Sequence, residues 1–192
     1  MHRVSEHLRR TAAFMAAALC CTGLAAIPAQ AAPPARAAQS CAGADLVPDS
    51  TNAPEIRGAT LCLLNAERRA HRLRSLRSNS RLRRAAQSYA QQMVQQDFFA
   101  HVSPSGSTLI QRIRRTAYLS TAHSWSVGEN LAWGTGALAT PAETVQNWMD
   151  SPPHRHNILT RSFKEIGIGV ALGAPGQGAD GATYTTEFGR RS

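Results

Sequence analysis

The chain lacks several patterns that would place it in a common class. After residue 31 no apolar run is long enough to span a bilayer, so no membrane anchor is expected there. There is no His-Glu-x-x-His motif and no Gly-x-Ser-x-Gly elbow, which argues against two familiar types of hydrolase. No helix-turn-helix, zinc-finger or aromatic RNA-binding motif accompanies the basic residues, so no nucleic-acid partner is expected.

The N-terminal residues have the composition of a secretory leader. Arg3, Arg9 and Arg10 precede an apolar run over residues 11–27, and Ala29-Gln30-Ala31 is a small-x-small cleavage site. The sequence therefore predicts a signal peptide at 1–31 and a secreted, extracellular protein. Cys20 and Cys21 lack the small preceding residue of a lipoprotein signal, so no lipid anchor is expected either.

Cysteine is scarce once the leader is removed. Of the 4 cysteines only Cys41 and Cys62 remain. An even pair in an oxidising compartment favours one disulfide, worth about 3 kcal/mol in the chain-entropy model for a loop of this size. The alternative is two free, buried thiols.

Lysine and acidic residues are also scarce, and arginine dominates the charge. Lys164 is the only lysine, the formal net charge is +9, and removal of the leader leaves about +7. The predicted basic surface comprises Arg68, Arg69, Arg72, Arg74, Arg77, Arg81, Arg83, Arg84, Arg112, Arg114 and Arg115. Such a surface would attract extracellular polyanions, cell-wall polymers or anionic lipids, and the alternative is an ordinary solvated face.

Hydrophobic periodicity predicts a single α+β domain at 53–192, preceded by a flexible tether at 32–52. Helices are expected at 54–71, at 79–96 with a buried stripe, at 107–115 and from 141 onwards. Residues 165–172 and 183–188 are typical of two strands joined as an antiparallel hairpin. Glycines inside the first strand indicate the close approach of another element.

Three side chains lie beside residues that restrict the backbone. His101 follows the long helix and precedes Pro104, Glu129 follows a glycine, and His154 follows two prolines. The prolines are expected to end a helix at a sharp corner that presents His154. If the three side chains converge, they could bind one divalent ion or activate one water molecule.

The chain resembles a bacterial member of the CAP superfamily, which includes cysteine-rich secretory proteins, antigen 5 proteins and pathogenesis-related 1 proteins. The resemblance spans about 62–189 and depends on Leu63-Leu64-Asn65 with Arg68, Phe99-Ala100-His101, Gly128-Glu129-Asn130, and Trp148-Met149-Asp150-Ser151-Pro152-Pro153-His154-Arg155-His156-Asn157-Ile158-Leu159. It implies an α-β-α sandwich with a small central antiparallel sheet.

The resemblance also implies a cleft in which His101 and His154 hold a cation beside Glu129. Three positions depart from the family pattern: Ser151 replaces a glutamate of the animal and plant members, Pro153 a glycine, and His156 an alanine common in bacterial members. The acidic site is thereby reduced from four residues to three. His101 and His154 could instead satisfy backbone groups, and Glu129 could anchor its loop. His156 could reach the same side as His154 if the backbone there is extended, although a surface role is favoured.

Two functions follow. The preferred one is a secreted, non-catalytic binding module, monomeric, with a weakly held divalent cation, preferably zinc, and an extracellular small-molecule, lipid, sterol or cell-wall ligand. The alternative is a metal-dependent extracellular hydrolase or peptidase with Glu129 as the general base. An ordinary catalytic zinc has three protein ligands plus a base, and the chain offers three candidates in total, so binding is preferred over catalysis.

Overall fold

The computed structural model describes residues 41–192, apart from the side chain of Asp180. The helices are α1 (Ala53–Ala70), α2 (Ser80–Gln95), α3 (Leu109–Arg115), α4 (Pro141–Asp150) and α5 (Pro152–Leu159), with a 3-10 turn at Gly136–Ala139. The strands are β1 (Arg77–Ser78), β2 (Trp125–Gly134), β3 (Glu165–Ala174) and β4 (Gly178–Arg191). The leader predicted at 1–31 lies outside the described residues. Within the described range, no helix is long and apolar enough to cross a membrane.

The four strands form one sheet in the order β1-β3-β4-β2. The predicted hairpin is confirmed, because β3 and β4 pair antiparallel, and β2 pairs antiparallel with the other edge of β4. The short strand β1 pairs parallel with β3, so the sheet is mixed, whereas the family resemblance implied an antiparallel one. Neither β1 nor β2 was predicted from the sequence, since the first has two residues and the second contains no simple alternation.

Helices cover both faces of this sheet, which confirms the α-β-α sandwich. One face of β3 and β4 packs with α1, α4 and α5 around buried Leu64, Trp148, Ile158, Tyr184 and Phe188. The opposite face packs against α2 and α3. The side chains of a strand alternate between faces, so a residue's place in the strand decides which layer it joins.

The long helix α2 begins and packs as predicted. The side chain of Asn79 accepts hydrogen bonds from the backbone N–H groups of Arg81 and Leu82, at 2.9 and 3.2 Å, which caps the helix. The predicted stripe of Leu82, Ala85, Ala86, Tyr89, Ala90 and Met93 is buried. The glycines of β3 do mark a close approach, because a Cβ on Gly167 or Gly169 would lie within 2.0 or 2.3 Å of the α2 backbone.

The disulfide between Cys41 and Cys62 is confirmed. Cys41 and Ala44 are buried in the core beneath α1, and the carbonyl of Ala44 accepts a hydrogen bond of 2.9 Å from Ala142 N–H. Residues 41–52, the described part of the predicted tether, are therefore packed against the domain.

The corner predicted at Pro152 and Pro153 is a break of a single extended residue, Ser151, followed by a new helix. Both prolines occupy the first turn of α5, where a missing N–H leaves no hydrogen bond unmade. His154 thus lies on a helix and not in an extended turn. The backbone here is not extended, so the condition under which His156 would share the side of His154 is not met: a step of two residues along a helix turns the side chain by about 200° around the axis.

Candidate functional site

Glu129 lies in the middle of β2, on the strand face that is covered by α2 and α3. It lies directly opposite Glu187 of β4 in the antiparallel register, so both side chains point to the same layer, beneath α2 and α3. Only 6% of Glu129 and 0% of Glu187 is exposed. Two buried carboxyl groups side by side require a compensating cation or a proton.

Arg112 of α3 supplies that cation. Its guanidinium donates a hydrogen bond of 2.5 Å to one carboxylate oxygen of Glu129, and its Nε lies 3.9 Å from Glu187. It also donates to the backbone carbonyls of His101 and Ser107, at 3.2 and 2.9 Å, and lies 3.3 Å from the centre of the Tyr89 ring. Arg112 is 6% exposed, so the prediction that it belongs to the basic surface is wrong.

His101 makes the second contact with Glu129. Its Nδ1 lies 2.8 Å from the other carboxylate oxygen, while the imidazole as a whole is 60% exposed. The hydrogen bond raises the pKa of His101 above its ordinary value, although partial burial opposes it. Since the carboxylate accepts, the Nδ1 carries the proton and Nε2 is the ring nitrogen with a free lone pair in the neutral form. The Tyr89 hydroxyl donates to the carbonyl of Ala100 and fixes the turn.

His154 is held near this group through the backbone of α5. Asn130 donates to its carbonyl at 3.1 Å, and Asn157 donates to the carbonyl of Glu129 and the side chain of Asn130, at 3.0 and 2.9 Å. These hydrogen bonds tie the backbone of α5 to the strand that carries Glu129. Partial burial lowers the pKa of His154 below its ordinary value, and the charge of His101 lowers it further.

Gly128 explains why a glycine precedes Glu129. A Cβ at this position would lie 3.0 Å from the Phe163 ring and 3.1 Å from the Asn157 side-chain oxygen. The glycine allows α5 and its following loop to approach β2, and thereby allows the Asn157 contacts that join His154 to the strand.

Two of the three predicted metal ligands, His101 and Glu129, are paired directly with each other. Both oxygens of Glu129 are already bound, one by His101 and the other by Arg112. Among the side chains that the structure describes, no three or more His, Cys, Asp and Glu residues are placed to hold one metal ion. Glu129 instead occupies the position of a carboxylate that orients a histidine, an arrangement common around metal-bound imidazoles. Each imidazole is chemically suited to bind a divalent ion such as zinc, and metal binding by His101 and His154 remains a prediction.

Three further residues of the site were not found from the sequence as functional candidates: Glu187, Arg112 and Tyr89. Glu187 lies in the predicted strand 183–188. It is the one charged residue among the threonine and aromatic residues of that strand, and this was the signal that could have identified it. Its carboxyl oxygens are buried without a hydrogen-bond partner. Burial and the neighbouring Glu129 raise the pKa of Glu187 well above its usual range.

His156, by contrast, is exposed.

The tryptophans divide between core and surface. Trp148 is 1% exposed and donates from its indole to the carbonyl of Leu131 at 3.0 Å, so it is a core residue. Trp125 and Trp133 of β2 are 37% and 43% exposed.

Comparison with solved structures finds this fold in other bacterial proteins. The chain aligns with an outer surface protein from Borrelia burgdorferi with a TM-score of 0.61 and 20% identity, over 76% of this chain and 98% of that one. It aligns with an extracellular protein containing an SCP domain from Bacillus anthracis str. Ames with a TM-score of 0.57 and 22% identity, over 75% of this chain and 45% of that one. At these identities the likeness shows the fold alone.

Sequence comparison shows the family. The chain is 33% identical over 126 residues to the uncharacterized protein YkwD from Bacillus subtilis (strain 168), which covers 66% of this chain and 44% of that protein. It therefore spans less than half the length of this relative. The model of the cysteine-rich secretory protein family, CAP, matches residues 61–187, which include His101, Glu129, His154 and their partners. The chain belongs to the cysteine-rich secretory protein (CAP) family.

Proposed function

We propose that the protein is a secreted, non-catalytic binding module whose two cleft histidines hold one divalent cation, zinc by preference, over which an extracellular ligand docks. The observation that carries this proposal is the full engagement of Glu129 by Arg112 and His101. A carboxylate fixed in this way stabilises the scaffold and orients one imidazole.

The same engagement argues against the hydrolase alternative. A general base must accept a proton from water at hydrogen-bond distance, and a carboxylate paired on both oxygens is poorly suited to that role. The other carboxyl group, Glu187, is 0% exposed and its pKa is raised, which favours its neutral form. Neither carboxyl group therefore has the access and the charge of a general base.

Two imidazoles make a weak site by the standards of structural zinc, which takes four protein ligands. The ion would be held by Nε2 of His101 and by the ring of His154. It would supply Lewis-acid positions for oxygen or nitrogen donors of a ligand. The candidates for that ligand are the ligand classes of the family: lipids, sterols or cell-wall material.

Calorimetry with zinc tests the cation site. His101→Ala and His154→Ala should each abolish zinc uptake, because one remaining imidazole is an insufficient ligand set. His156→Ala is the matched control, since it removes an exposed histidine two residues from His154 and should leave binding unchanged. Unchanged zinc binding in both cleft variants would remove the site.

Casein cleavage tests the alternative. We expect no zinc-dependent turnover above that of a heat-inactivated sample. Turnover that requires zinc and disappears in Glu129→Gln would establish the hydrolase function and overturn the binding proposal.

A further inference from the structure

A second candidate site lies outside the cleft, in a groove between two loops. One wall is the loop that follows α1 and leads into β1, and the other is the loop that joins α5 to β3. The groove measures about 640 Å³. Its cationic lining residues are Arg72, Arg74, Arg77, Arg161 and Lys164.

These five cationic side chains are exposed and unbalanced. Within the part of the chain that the structure describes, none of them has a carboxylate within 4.0 Å. The neighbouring acidic residue, Glu165, is turned to other partners, because Asn79 and the Tyr118 hydroxyl donate to it at 2.8 and 2.7 Å. The only lysine of the chain and four of its arginines thus concentrate positive potential in one concave surface.

A buried arginine holds the two walls of the groove in place. Arg68 is 0% exposed, so its assignment to the basic surface is wrong. Its guanidinium donates to the carbonyl of Arg74 in one wall, at 2.8 Å, and to those of Thr160 and Phe163 in the other, at 3.1 and 3.2 Å. No carboxylate among the described side chains lies within 4.0 Å of Arg68, so its charge adds to the potential of the groove.

Two further contacts fix the first wall. The Asn65 side chain accepts from Leu76 N–H at 2.7 Å and donates to the Leu76 carbonyl at 3.1 Å. Arg77 N–H donates to the carbonyl of Lys164 at 3.0 Å, which joins the walls where β1 meets β3. The backbone that carries the cations is therefore ordered before any ligand binds, which lowers the entropic cost of binding.

The chemistry of the groove selects its partner. Several cations along one groove match a linear polymer with repeated negative charges, and guanidinium groups bind phosphate oxygens with two parallel hydrogen bonds. A membrane surface is disfavoured, because none of the large exposed apolar side chains lines the groove. Single-stranded nucleic acid is disfavoured as well, since the lining aromatic, Phe163, is 6% exposed and offers no stacking platform.

We propose that the groove formed by Arg72, Arg74, Arg77, Arg161 and Lys164 binds a linear polymer of phosphate groups. The site is separate from the histidine cleft in its residues and needs no metal ion. It gives the basic charge of the chain a specific location and a specific ligand class.

Titration with inorganic polyphosphate in the presence of EDTA tests this site. The variant Arg74→Gln with Arg161→Gln removes one exposed cation from each wall, and we expect an affinity at least about tenfold lower than that of the wild type. The slope of log K against log salt should become shallower by about 1.4, since each lost contact with a flexible polyanion contributes about 0.7. The matched control is Arg83→Gln with Arg114→Gln, two exposed arginines outside the groove, which should change the affinity less than about twofold.

Further arms of the experiment separate this proposal from its alternatives. An equal loss in the control pair would show attraction to net charge alone and overturn the site. Equal affinity for polyglutamate would overturn the preference for phosphate. Binding to phosphatidylglycerol vesicles without binding to polyphosphate would assign the surface to membranes instead. His101→Ala should bind polyphosphate as tightly as the wild type, and a loss there would move the ligand to the cleft. Far-UV circular dichroism checks that every variant is folded.

Discussion

Arg112 is one guanidinium that faces two buried carboxyl groups. It forms a direct ion pair with Glu129, whereas its Nε is 3.9 Å from Glu187, beyond hydrogen-bond distance. One cation cannot neutralise two carboxylates in a dry interior, and burial beside Glu129 raises the pKa of Glu187 well above its usual range. At the residue scale, the site therefore combines a buried carboxyl group with a raised pKa, an ion pair and an oriented histidine in one cluster.

The raised pKa of Glu187 leads to a prediction about the pH dependence of stability. A carboxyl group whose pKa is raised in the folded state stabilises the fold fully at pH values below its pKa in the unfolded chain. This stabilisation is lost as pH rises towards its pKa in the folded state. The groups that face it, Arg112, Glu129 and the Tyr89 ring, remain in Glu187→Gln, which removes only this titration. The free energy of unfolding of the variant relative to wild type should therefore increase as pH rises from about 5, near the unfolded carboxyl pKa, into the neutral range. Urea denaturation across this range measures it, and a constant difference would contradict the prediction.

At the element scale, the contact of α2 with β3 sets the thickness of the sandwich. Gly167 and Gly169 leave two neighbouring positions on the α2-facing side of β3 without side chains, so the backbone of α2 rests directly on the strand there. This close approach carries Tyr89 and the following turn towards β2, where His101 reaches Glu129. The glycines of one strand thus position a histidine that lies far from them in the sequence.

A methyl group in this contact should be costly. In Gly169→Ala the new Cβ would lie 2.3 Å from the carbonyl carbon of Ala86, which is part of the helix backbone and cannot turn aside. We expect destabilisation of about 2 kcal/mol or more, measured by chemical denaturation.

Gly58 in α1 offers the matched control, because an added Cβ would meet nothing within 4 Å. Gly58→Ala should stabilise the protein by about 0.5 to 1 kcal/mol through helix propensity. Equal effects of the two substitutions would show that the close contact at Gly169 is not what limits the packing.

At the scale of the whole molecule, residues 41–52 complete the helical layer. The disulfide joins Cys41 to α1, and the carbonyl of Ala44 accepts from Ala142 at the start of α4. The segment thereby connects the first helix to the helix that leads to His154. Asn52, whose side chain donates to the Val47 carbonyl at 2.9 Å, closes the turn before α1.

Removal of the disulfide should loosen this connection. Cys41→Ala with Cys62→Ala should lower the free energy of unfolding by about 3 kcal/mol, because the bridge closes a loop with a sequence separation of 21. Limited proteolysis should then cut first within residues 41–52. Wild type treated with a reductant is the control and should show the same cleavage, and a protease-resistant segment in both samples would mean that the noncovalent contacts suffice.

Much of the fold was readable from local patterns. The capped helix at Asn79, its buried stripe and the β3–β4 hairpin follow from period and capping, which act over a few residues. The cysteine pair followed from counting. The strand β2 was missed, because its partner β4 lies far away in the sequence and its own residues show only a weak strand pattern. The helix at Pro152 was missed, because a proline that ends one helix and a proline that begins another look alike in sequence.

The sequence by itself determined the family motifs, the helical stripes, the cysteine pair and the identity of the two histidines, since each depends on residue type and short spacing. Only the tertiary structure decided what surrounds them. The register of β2 against β4 placed Glu187 beside Glu129, and the packing of α3 buried Arg112 between them. The fold buried Arg68 beneath the basic groove in the same way. A charged side chain takes its role from its burial and its partners, and both arise from contacts between segments that are distant in the chain.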